Sequence, residues 1–97
     1  MVDWGKILDT TGAVLRGMSD AAIISNWLQM DDEGAYASIA TQVSSSSTED
    51  VDRLDAALLS HAAGAFDPAA RQRLIRFYVI FKLVEVERYQ AFRGFPA

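Results

Sequence analysis

The chain has 97 residues, 51% of them apolar and 23% charged, with a formal net charge of −4. That is enough apolar surface for one small core, and it excludes wholesale disorder. Cysteine is absent and histidine occurs once, at His61, which excludes disulfide frameworks, thiolate nucleophiles and every Cys-based or multi-His metal site.

The longest unbroken apolar run, Phe77 to Phe81, falls far short of the roughly 18 residues that a membrane-spanning helix needs. Asp3 and Asp9 stand where a signal peptide would carry bases, and no apolar run ends in a small-residue cleavage site. The expectation is one cytoplasmic domain without a cofactor. No period recurs along the chain, and the four serines Ser44 to Ser47 suit a connection between helices.

In chain order, Trp4, Ile7, Leu8, Val14, Leu15 and Met18 fall on one third of a helical wheel, predicting a first helix over 3–18. Ser19 is placed to cap a second over 20–30, with Ile23, Ile24, Trp27, Leu28 and Met30 turned inward. The acids Asp31, Asp32 and Glu33 open a third over 32–44, with Tyr36, Ile39, Ala40 and Val43 inside. Gly34 and the small residues lead us to expect that this helix buries little.

A fourth helix over 48–63 turns Val51, Leu54, Leu58, Ala62 and Ala65 inward. Ser46 and Glu49 have capping-box spacing at its start, and Ser47 and Asp50 stand equally far apart. Asp67-Pro68 combines a cap with proline at the first helical position, and no breaker follows until Gly94. The stretch Phe77 to Val86 also has strand character by propensity. No second run of comparable character exists for it to pair with, so a helix over 68–93 is predicted.

This last helix is apolar on nearly every side between Leu74 and Val86, which reads as a central helix with neighbours around it. The predicted fold is all-α, a bundle of about five helices with the long C-terminal one at its centre.

Charge is segregated along the chain. Residues 1–67 carry eleven of the thirteen acids against Lys6, Arg16 and Arg53, and residues 68–97 carry six bases against Glu85 and Glu87. The simplest use is internal, an acidic wrap around a basic helix. A free part of the acidic surface could also steer a basic partner. The densest exposed charges, Asp31, Asp32, Glu33, Glu49, Asp50 and Asp52, are therefore the expected docking surface. Their spacing is not that of a calcium loop, and acids at helix starts are favoured anyway, so no metal is expected there.

A second candidate surface is the stripe Arg76, Ile80, Leu83 and Glu87, with opposite charges at its ends and aliphatics between. Two copies antiparallel about a two-fold between Phe81 and Lys82 would set Arg76 against Glu87, an isologous homodimer. His61 projects toward the apolar face of its helix and is expected to be buried on one hydrogen bond; a pairing with Glu85 is open. Arg71, Arg73 and Arg76 could touch phosphate, but a pI near 4.7 and core-type aromatic spacing speak against nucleic acid.

The sequence thus favours a non-catalytic protein–protein interaction module, of inhibitor, immunity or adaptor type, meeting a basic partner through its acidic helix starts. One alternative is a self-assembling structural protein. The other is a small helical enzyme or ligand binder with His61, Glu85 and Arg88 in a pocket between subunits.

Overall fold

The structure, a computed structural model, describes residues 18–93, with side chains as far as Arg88. Four helices make it up: α1 Asp20–Gln29, α2 Asp32–Ser45, α3 Thr48–Gly64 and α4 Pro68–Arg93. The all-α class holds, and the segment with strand character is helical throughout. The first predicted helix, over 3–18, lies outside the described residues.

The helix starts are fixed locally. Ser19 Oγ accepts from the Ala22 amide at 3.2 Å, and Asp31 Oδ1 accepts from Gly34 at 2.8 Å. At α3 the cap is Ser47, whose Oγ accepts from Asp50 at 3.2 Å. Ser46 instead donates to the Gln42 carbonyl at 2.6 Å and finishes α2. The capping-box spacing of Ser46 and Glu49 is therefore not used, because the Ser46 hydroxyl is taken by the preceding helix. Asp67 opens α4, its carbonyl accepting from Arg71 and its carboxylate from Ala69.

α4 lies between α2 and α3, which scarcely touch each other, and α1 closes the bundle from the opposite side. The core joins Ile23, Ile24 and Trp27 of α1 to Ile39 and Val43 of α2, Leu54 and Leu58 of α3, and Leu74, Phe77 and Phe81 of α4. Trp27 is fully buried, and its indole N–H donates to Ser38 Oγ at 3.1 Å. Tyr36 meets Phe77 edge-on at 6.1 Å.

Two expectations change. α2 was expected to bury little, yet Ala35, Ala37, Ser38, Ile39, Ala40, Gln42 and Val43 are all buried. Small side chains let its backbone come close to α4, so close approach replaces side-chain bulk. The last helix was expected to be enclosed. Among the described residues α2 and α3 flank it and α1 lies behind, so the side away from α1 is open.

Candidate functional site

The bases of α4 turn mostly inward, to the ends of the other helices. Helix C-termini leave carbonyls without intrahelical partners, and neither α1 nor α2 has a basic residue in its last turn. Arg73 supplies two donors at the end of α1, to the carbonyls of Leu28 and Met30 at 2.8 Å each. Its Nε reaches Asp32 at 3.0 Å, and its guanidinium sits 5.0 Å over the Phe77 ring. Arg88 donates to Val43 of α2 at 2.6 Å, and Arg71 reaches the Ala65 carbonyl just beyond α3 with two bonds.

Most of the acids are engaged as well. Asp31 is a cap; Asp32 meets Arg73 and, more loosely at 3.8 Å, Arg76. Asp50 accepts from Arg53 at 2.7 Å, which holds its carboxyl below the ordinary range, while Arg53 also reaches Asp20 at 3.1 Å. Glu33, Glu49 and Asp52 are exposed. The six acids do not converge. Asp32 sits beside Arg73 near the start of α4, whereas α3 runs antiparallel to α4 and places Asp55 at Lys82. Glu49, Asp50 and Asp52 therefore lie towards the far end of the bundle.

A polar cluster ties α3 to α4. Lys82 Nζ donates to Asp55 at 2.7 Å and to Glu85 at 3.1 Å, and the Tyr78 hydroxyl donates to the other Asp55 oxygen at 2.9 Å. The Asp55 hydrogen bond raises the pKa of both Lys82 and Tyr78. Among the described residues Glu85 Oε2 is buried without a hydrogen-bond partner. His61 does not join this cluster. It is exposed, its Nδ1 donating to the Ala57 carbonyl at 2.9 Å one turn back. The expected burial fails because the ring is satisfied on its own helix. His61 lies beyond Asp55 along α3 while Glu85 lies beyond Lys82 along the antiparallel α4, so one chain does not bring His61 beside Glu85 or Arg88.

What remains is the outer side of α4. Ile75, Val79, Leu83 and Val86 stand between 41% and 51% exposed, spaced i, i+4, i+8 and i+11 along one stripe opposite the core. Leu59, 52% exposed, lies one turn beyond Asp55 on α3. Phe66, in the turn between α3 and α4, is 98% exposed.

The expected self-association stripe sits on one flank of this surface. Leu83 and Glu87 are exposed, Arg76 is half-exposed, and Ile80 leans inward against the core. The sequence makes this helix apolar on nearly every side, and that reading gave Ile75, Val79 and Val86 to the core along with the rest. The signal that separates the two was the spacing. Leu74, Phe77, Phe81 and Val84 already form one complete inward stripe.

Compared with models of protein families, with curated proteins and with solved structures, the chain matches none.

Proposed function

We propose that this chain is a non-catalytic protein-interaction module that docks a partner protein on the outer side of α4. The observation that carries this reading is the uncovered stripe of Ile75, Val79, Leu83 and Val86. Single exposed aliphatics are ordinary on a protein surface, but a contiguous row along a helix is the usual mark of a contact surface. Arg76 and Glu87 supply a polar rim on one side and Lys82 on the other.

The acidic helix starts act second in this reading. Asp31, Asp32 and Asp50 are held by caps and arginines, which leaves Glu49 and Asp52 as the acids best placed to steer a basic rim of the partner. Charges so placed change the rate of encounter and its salt dependence more than the final affinity.

A photo-crosslinking benzoylphenylalanine at Val79 tests the proposal in the source cells. Irradiation should yield protein adducts at this position and none with the same group at Ser60, an exposed residue of α3. Absence of adducts at Val79, or equal adducts at both positions, overturns it.

A further inference from the structure

We infer that the partner seated on this stripe is a second copy of the chain, bound through an antiparallel pair of α4 helices. The inference rests on the docking reading above and adds the identity of the occupant.

The stripe is symmetric about its own middle. With the two-fold level with Phe81 and Lys82, Val79 of one copy meets Leu83 of the other, and Ile75 meets Val86. Arg76 and Glu87 lie on the same flank of the stripe, and an antiparallel pairing brings Arg76 of each copy beside Glu87 of the second. The charge rim is therefore self-complementary, as an isologous interface requires. Both groups are free to respond. Arg76 has only the long 3.8 Å contact to Asp32, which Arg73 holds more closely, and Glu87 has no ion pair among the described residues.

The apolar area of four half-exposed aliphatics is about 300 Å² per copy, the size of a functional patch rather than of an obligate interface. A contact of this size makes a reversible dimer rather than an obligate one.

Sedimentation of the full chain from low to high micromolar concentration tests this. The mass should rise from 10.7 kDa towards twice that value. Val79→Glu, at a position that takes no part in the core, should weaken association at least ~100-fold by burying two unpaired carboxylates. Arg76→Glu should weaken it about tenfold, and Glu87→Arg added to it should recover most of the loss. Circular dichroism of each variant should match the parent.

The inference is overturned if the parent stays at monomer mass, if Val79→Glu leaves the mass unchanged, or if the double reversal fails to recover it. Benzoylphenylalanine at Val79 in the purified chain should give adducts of double mass; adducts within one chain to residues 1–17 overturn the inference instead. A monomer that nevertheless forms an adduct with a different protein in cells overturns only the second copy and leaves the docking surface standing. A monomer without any adduct overturns both.

Discussion

Replacing Arg73 by methionine is the most exacting test of how this bundle is held together. Methionine keeps an apolar stem against Phe77 but removes the planar fork that donates to Leu28 and Met30 and meets Asp32. The two carbonyls belong to the end of α1, where among the described residues no other side chain donates to them, and each hydrogen bond from a charged group contributes on the order of 1.5 kcal/mol. The Asp32 pair is half-exposed and adds less than ~1 kcal/mol. Partial access of water to the freed carbonyls offsets some of the loss, so the expected cost is about 3 kcal/mol. Against a total of 5–15 kcal/mol, roughly what such domains have, this is severe.

Urea unfolding followed by circular dichroism measures it. With a slope near 1.5 kcal/mol per molar, roughly the value for a chain of this size, the midpoint should fall by about 2 M at unchanged slope. Arg73→Lys should recover only a minor part, because a single ammonium cannot reach both carbonyls and Asp32 together. A midpoint shift below about 0.5 M for Arg73→Met would falsify the capping role.

Two further outcomes follow from buried or coupled polar groups. Ser38→Ala removes the acceptor of the fully buried Trp27 N–H and should cost ~1–3 kcal/mol in the same assay; an unchanged midpoint would mean that the indole finds another acceptor. Lys82 and Tyr78, with ordinary values of 10.5 and 10.0, are both raised chiefly by their hydrogen bonds to Asp55. Each holds its proton more tightly folded than unfolded, so its contribution is complete below about pH 10 and is lost as pH climbs above it. Asp55→Asn should flatten this alkaline decline, and an identical decline in the variant counts against the cluster as its source.

How much of this was legible beforehand divides by distance along the chain. Ser19, Asp31 and Asp67 mark helix starts because their partners lie within three residues, and the boundaries read from them agree with the structure to about a residue. The helix ends are another matter. Arg73 reaches back 45 residues to Leu28, and Arg88 reaches 45 to Val43. Nothing in a local pattern distinguishes an arginine with such an address from one in water. The segregation of charge did announce an internal use, without saying that backbone carbonyls would take as much of it as the acids. Ser46 and Ser47 show the limit at short range. Either serine could cap α3, and the choice depended on the Ser46 hydroxyl already being used by α2. The burial of α2 was misjudged for a related reason: propensity and bulk are properties of one helix, whereas close approach belongs to two.

The outer side of α4 is where stability fails as an explanation. Folding asks this helix to bury Leu74, Phe77, Phe81 and Val84 and to extend Arg71, Arg73 and Arg88 to the other helices. Neither task involves Ile75, Val79 or Val86. All three are β-branched and leave about half their surface in water, where glutamate, lysine or alanine would sit in a helix better by up to roughly half a kcal/mol per residue. Ile75→Glu and Val86→Glu, which set like charges against each other across the pairing, should therefore leave the folded monomer at dilute concentration as stable as the parent or slightly more so. The same pair should abolish the concentration-dependent rise in mass. Loss of association with retained stability is the signature of positions kept apolar for contact. If the pair instead destabilises the dilute monomer by more than ~1 kcal/mol, these side chains are supporting the chain's own fold and the outer side of α4 is core after all.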